Sequence, residues 1–149
     1  MQTFEISLRN FGPEDQTAVR ELILAGLVER WGWLDPQRNP DLEDIAGSYD
    51  GAVFLVAYLE GRLVGTGALV PRSEDEAEIA RMSVASDLRR QGVGGRILAE
   101  LLHRARALGF RRVVLETTAT WRDAVDFYLK HGFRVTHEKE GDMYFVLEL

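Results

Sequence analysis

Glu78-Ile79-Ala80-Arg81-Met82-Ser83-Val84-Ala85-Ser86-Asp87-Leu88-Arg89-Arg90-Gln91-Gly92-Val93-Gly94-Gly95, continued by Arg96 to Leu108, is the stretch around which the chain is organised. Glu78 to Val84 alternates as a half-buried strand should, which predicts Ile79 and Arg81 on one face and Ala80 and Met82 on the other. From Val93 the spacing becomes helical: Val93, Ile97, Leu101, Ala105 and Leu108 form one apolar stripe, widened by Leu98 and Leu102. Gly109 ends it, because glycine takes the left-handed conformation after a helix without strain.

Between strand and helix lies a turn with Arg89, Arg90, Gly92, Gly94 and Gly95. Glycines let a ligand approach the backbone closely. The first amides of a helix have no internal partner, and the helix dipole adds positive potential there. Two arginines add charge, so the turn has the composition of a phosphate cradle. The alternative is a flexible turn with solvated arginines, but glycines at that position would then weaken the helix start for nothing. A P-loop needs Lys-Ser/Thr after its last glycine, and Gly95 is followed by Arg96 and Ile97. A dinucleotide-binding turn needs a third glycine where Ile97 stands.

As it stands the motif is Arg89-x-x-Gly92-x-Gly94, after a strand and opening a helix. It resembles the acyl-CoA pyrophosphate loop of the GCN5-related N-acetyltransferases, the GNAT superfamily. A second likeness, Ala124-x-x-Phe127-Tyr128-x-x-x-Gly132-Phe133, is similar to a later motif of the same superfamily. The resemblance is strong from Ala77 to Phe133 and weaker in the N-terminal helices.

The rest of the chain fits one domain over residues 1–149. Its 149 residues allow a single core, and 46% hydrophobic with 28% charged residues is globular composition. A net charge of −6 argues against a nucleic-acid binder. With no cysteine, disulfides, a thiolate nucleophile and Cys-based metal sites are excluded, and the cytoplasm is the expected compartment. No signal peptide is visible, and no run reaches the ~20 apolar residues of a membrane span.

Phe4 to Leu8 reads as a first strand, Gly12-Pro13-Glu14-Asp15 as a helix start, and Val19, Leu22, Ile23, Leu27 and Val28 as a helical stripe. Trp31 to Pro40 breaks that helix. Asp41 to Tyr49 is a short helix candidate with Leu42, Ile45 and Ala46 inward. Ala52 to Leu59 and Arg62 to Val70, joined by Glu60-Gly61, form a hairpin. Arg112 to Thr117 carries the continuous apolar run of a central strand. Trp121 to His131 is a helix with Ala124, Phe127 and Tyr128 inward, and Phe133 to His137 and Met143 to Leu149 close the chain as strands. The expected fold is α/β and GNAT-like, with a mixed, mostly antiparallel sheet of about seven strands flanked by about four helices.

The resemblance implies an acetyl-CoA-dependent N-acyltransferase acting on a primary amine. Other readings are transfer to a protein N-terminus or lysine, and an idle acyl-CoA-binding domain. It implies that the backbone of Met82, Ser83 and Val84 pairs with the pantetheine arm, that the amides from Arg90 through Gln91, Gly92, Val93 and Gly94 to Gly95 take the pyrophosphate, with Arg89 beside them, and that the strands of Met82 and Leu115 splay to admit the thioester. Tyr128 stands where the superfamily has its general-acid tyrosine; the alternative is a packing tyrosine. Glu116, near the end of a central strand, is the candidate base, with Glu78 as its rival and a plain water route as a third path. Trp121 stands where many relatives have a cofactor-contacting Asn, and is read either as flanking the acyl or acceptor site or as packing. Trp31 and Trp33 form either an acceptor wall or a hydrophobic plug. His103, His131 and His137 are scattered without metal-ligand spacing, so no metal is expected. Acceptor identity carries no motif, and homodimerisation, common among the proteins it resembles, has no visible interface here.

Overall fold

The computed structural model describes residues 5–35 and 38–149. Among the described residues, seven strands and four α-helices follow the order β1 (Ile6–Asn10), α1 (Gln16–Trp31), α2 (Ile45–Ser48), β2 (Val53–Leu59), β3 (Arg62–Pro71), β4 (Glu76–Val84), α3 (Val93–Ala107), β5 (Arg112–Thr118), α4 (Arg122–Lys130), β6 (Arg134–Lys139) and β7 (Asp142–Glu148). The sheet order is β1-β2-β3-β4-β5-β7-β6. Neighbours are antiparallel except β4 and β5, which run parallel.

The two faces of the sheet carry separate cores. On one, α1, the turn at Pro40–Leu42 and α2 cover Phe54, Val56 and Ala68 with Val19, Ile23, Leu42 and Ile45. On the other, α3 lays Val93, Ile97, Leu98, Leu101, Leu102 and Ala105 against Leu55, Val64, Leu69 and Ile79, and the same core runs on through Val113, Leu115, Val125, Tyr128 and Phe145. The helical stripe read from α3 is therefore its buried face, save for Leu108. That residue lies beyond the last turn and is 61% exposed. Ala46 is likewise exposed: the helix read over Asp41 to Tyr49 is split into a 3-10 turn, Pro40–Leu42, that buries Leu42, and the single turn of α2, which buries only Ile45. The strand read from Phe4 begins at Ile6, and Phe4 itself lies outside the described residues, as do Pro36 and Gln37 in the break after α1.

The alternation expected along β4 breaks at Arg81. The register runs Ala68 to Ala80 and Thr66 to Ser83, so Arg81 and Met82 together stand opposite Gly67. One extra residue flips the parity of everything after it. Met82 and Val84 therefore join Ile79 on the α3 face, while Ser83 turns toward Gly26 of α1. Arg81 takes φ 53°, a left-handed conformation that costs a non-glycine residue about 1–2 kcal/mol. Gly67 is required opposite the bulge, since a Cβ there would stand 2.6 Å from Met82 Sδ and 2.7 Å from Ile97 Cγ2.

Asp15 ties β1, β2 and the start of α1 together. Its carboxylate, 1% exposed, accepts from Arg9 at 2.7 and 2.8 Å, from the Tyr58 hydroxyl at 2.6 Å and from the Gly12 amide at 2.8 Å. Burial alone would raise its pKa, but those donors outweigh it and hold the group at about 2. A folded-state pKa below the unfolded value gives stability that is present above the unfolded pKa and lost as pH falls toward the folded one. Acidification through this window should cost about 2 kcal/mol at this site. Denaturant melts of Asp15→Asn between pH 5 and pH 2 should show a correspondingly flatter loss; an unchanged slope would assign the acid sensitivity elsewhere.

Candidate active site

The centre of the sheet is open. β4 and β5 pair over only Glu76–Arg112, Ala77–Val113 and Glu78–Val114. Beyond that point β4 continues to Val84 beside β3, and β5 continues to Thr118 beside β7, with no ladder between them. A cleft of about 1250 Å³ occupies the gap. Its walls are Ile79–Val84, Glu116–Thr118, the end of α1, the turn before α3, and α4.

At one end lies the N-terminus of α3. Gly92 caps it at φ 88°, a backbone only glycine takes freely, and so has no side chain to bond the first amides. The Arg96 amide is the one that reaches back to the Gly92 carbonyl, at 3.1 Å. The amides before it at the helix start have no backbone partner among the described residues, a donor set that would fit a pyrophosphate. Arg90 lines the cleft at φ 63° with no ion pair among the described residues. Arg89 also lines it but pairs with Glu29 of α1. Met82, Ser83, Val84, Gly92, Val93, Gly94 and Gly95 all line the cleft. Gln91 does not, its side chain turning to the Asp87 carbonyl at 3.4 Å.

Tyr128 lies on the cleft from the α4 side, packed edge-on against Phe127 and Phe133 with ring centroids 5.1 and 5.7 Å away. Its ring is buried, yet the hydroxyl bonds no described residue and is not sealed from solvent. Burial pushes the phenol above its usual pKa, and the Arg30 charge partly offsets this. The hydroxyl is thus a protonated donor at neutral pH. Of the two glutamates, Glu116 lines the cleft opposite Tyr144 of β7, whose phenol its carboxylate raises. Glu78 does not line the cleft, and Arg72 holds it at 2.7 Å.

Across the cleft from α1 to α4 runs a strap that sequence reading missed. Arg30 donates to both carboxylate oxygens of Asp123 at 2.9 and 2.8 Å, and its guanidinium lies 4.6 Å from the Trp121 ring centre. Trp31 meets Trp121 at 5.8 Å, so Trp121 both packs and lines the cleft. Trp33 lines the cleft and is 62% exposed. Arg81 has the same character on the other wall, bound by Asp41 and Asn39. The available signal was an arginine inside an apolar strand run, which needs a partner. His131 also reaches the cradle: its Nδ1 donates to the Phe127 carbonyl at 2.8 Å, and Nε2 would be 3.5 Å from a Cβ at Gly95. Among the described residues no group of three or more His, Asp or Glu side chains could hold a metal ion, and no helix is long and apolar enough to cross a membrane.

A sequence model of the "Acetyltransferase (GNAT) family" matches residues 17–133. The chain belongs to the GNAT family. A relative named "Probable N-acetyltransferase camello", from Xenopus tropicalis, is 36% identical over 99 residues, which are 63% of this chain and 45% of that protein. The chain spans about half the length of the first such curated relatives it matches. The fold recurs in a GNAT-family acetyltransferase of Staphylococcus aureus, with a TM-score of 0.89, 21% identity, and 97% and 99% of the two chains covered. It recurs also in the PaiA N-acetyltransferase of Thermoplasma acidophilum in complex with coenzyme A, with a TM-score of 0.85, 19% identity, and 97% and 99% covered. Strand order, the β4–β5 gap and the α3 turn are thus features of this chain within a GNAT fold.

Proposed function

We propose that this chain is an acetyl-CoA-dependent N-acyltransferase that moves an acetyl group to a primary amine. The observation that carries the reading is the coincidence, in one cleft, of unpaired amides at the α3 start with a protonated Tyr128 hydroxyl. The coenzyme A bound by a structural neighbour supports the same ligand here. When bound, acetyl-CoA supplies an activated acyl group; what this chain adds is placement and proton handling. The amides from Arg90 to Gly95 hold the pyrophosphate, and the exposed edges of β4 at Met82–Val84 receive the extended arm as a guest strand. Tyr128 donates its proton toward the departing sulfur. The attacking amine must be neutral, because an ammonium has no lone pair. Glu116, rather than Glu78, is assigned to accept its proton, directly or through water, since Glu116 faces the cleft and Glu78 is held by Arg72.

An amine panel monitored for CoA release tests the reading. It should contain amino acids, polyamines, aminoglycosides and N-terminal peptides. Release with at least one amine supports it, and no release with any amine, alongside tight acetyl-CoA binding, would leave an idle binding domain. The acidic segment Ser73–Glu76 and the net charge of −6 favour cationic acceptors over acidic ones. Glu116→Gln should depress the rate by about 10²-fold at neutral pH and below, and recover at high pH as more acceptor becomes neutral. A uniform loss across the pH profile would give Glu116 a role other than base.

A further inference from the structure

The bulge in β4 is held by side chains that come from outside the sheet. Arg81 Nε donates to Asp41 Oδ2 at 2.9 Å, and Nη2 donates to Asp41 Oδ1 at 2.6 Å and to Asn39 Oδ1 at 3.1 Å. The Tyr49 hydroxyl donates to the same carboxylate at 2.6 Å, and its own pKa is pushed up to about 12 by burial and by that bond. Beneath the bulge, the fully buried Thr66 hydroxyl donates to the Arg81 carbonyl at 2.8 Å. The side chains of Arg81 and Asp41 are only 18% and 27% exposed, so the pair is largely withdrawn from water.

This is an expensive way to fill a left-handed position. Glycine or asparagine would adopt the same φ with little strain. A buried ion pair is also no general route to stability, since desolvation consumes much of its attraction. Both costs fall at one residue, on the wall of the cleft, and the partners lie on the segment between α1 and α2. Arg81 and Asn39 both line that cleft. Strain retained at a site wall against these costs is evidence of a geometric task.

We propose that Arg81 is a positioning residue that fastens the β4 bulge to the Asn39–Asp41 segment, so that the two walls of the cleft keep one relative geometry. The assignment of one wall to the acyl donor and the other to the amine rests on the function proposed above; the fastening itself does not. Asp41 is the anchor, Tyr49 orients it, Asn39 holds the guanidinium from a second side, and Thr66 sets the peptide plane that follows Arg81. The bidentate, planar contact explains why the residue is arginine, because lysine would bring a point charge without the fork.

Arg81→Gly separates this role from a merely structural one. Glycine takes φ 53° freely, so if the arginine served only to stabilise its own strained backbone, the variant would behave as wild type. The expected result is a folded variant whose kcat falls about 10–100-fold, because a small displacement of one reacting wall is felt strongly in rate. Its dissociation constant for CoA, measured calorimetrically, should change less than its kcat, and Arg81→Lys should rescue only in part. Asp41→Asn should reproduce the Arg81→Gly phenotype, and the double variant should be no worse than either single one. A readout free of catalysis is the amide NMR spectrum of the CoA-free protein. The resonances of Ala80 to Val84 should move in Asp41→Asn, a change at a residue distant in sequence. Wild-type kcat in Arg81→Gly, or unmoved Ala80–Val84 amides in Asp41→Asn, overturns the proposal. Failure of the proposed function reads differently: wild-type protein would neither bind CoA nor release it, while the amide test would still report on the fastening.

Discussion

Gly94→Asp should abolish the stabilisation that acetyl-CoA confers on this protein while leaving the fold in place. A ligand bound to the folded state alone stabilises it by about 2.7 kcal/mol at a hundredfold excess over its dissociation constant. For a domain of this size that is a rise in Tm of roughly 5–10 °C. Gly94 stands in the first turn of α3, where an added Cβ would meet Phe127 at 3.5 Å and Val84 at 3.6 Å, ordinary contacts that demand no rearrangement. An acid in the first turn of a helix also suits the dipole, so the unliganded variant should melt at or slightly above the wild-type temperature. The carboxylate would, however, point its charge at the amides that the phosphates need. Gly94→Ala is the control, since it adds the carbon without the charge and should keep most of the shift. A normal acetyl-CoA shift in Gly94→Asp would remove the cradle from the α3 turn.

Tyr128→Phe should lower kcat by about 10-fold at the least, and up to the 10²–10⁴-fold typical of a positioned proton donor. The lower bound is modest because a thiolate leaves readily without help. Two features make this substitution clean. The hydroxyl bonds no described residue, so its removal breaks no hydrogen bond in the folded protein and should leave stability close to wild type. The ring contacts with Phe127, Phe133 and Phe145 are retained by phenylalanine. The acetyl-CoA dissociation constant should therefore barely change, and the loss should sit in kcat. Wild-type turnover in the variant would make the hydroxyl a bystander and hand leaving-group protonation to water.

What could be read from the residues, and what could not, divides along sequence separation. The α3 stripe, the hairpin at Glu60-Gly61 and the glycine turn that opens α3 are local patterns, each written within one or two elements. Their physics is the periodicity of the chain and the conformational freedom of glycine, both visible in a short window. The β4 bulge was not visible, because Glu78 to Val84 alternates well enough to suggest an unbroken strand. Only the pairing with β3 reveals that two residues oppose Gly67. The strap between Arg30 and Asp123 joins residues 93 apart, and the Arg81–Asp41 pair joins residues 40 apart. Charged side chains on different elements carry no pattern that forecasts such meetings. Leu108 shows the opposite error, a residue in phase with its stripe that lies past the helix end.

The three residue pairs that join β4 to β5 give the domain a mechanical character. Strands β1 to β4 form one leaf and β5, β7 and β6 another, riveted at one end of their shared seam. α1 lies on the first leaf and α4 against the second, so the Arg30–Asp123 contact is a fastening near the free end of the seam. A sheet built this way is joined like a clip rather than a plate, its two leaves sharing backbone hydrogen bonds at one end only. The width of the cleft at the point of chemistry is therefore set by side-chain fastenings such as Arg30–Asp123, since no backbone rung crosses the seam there.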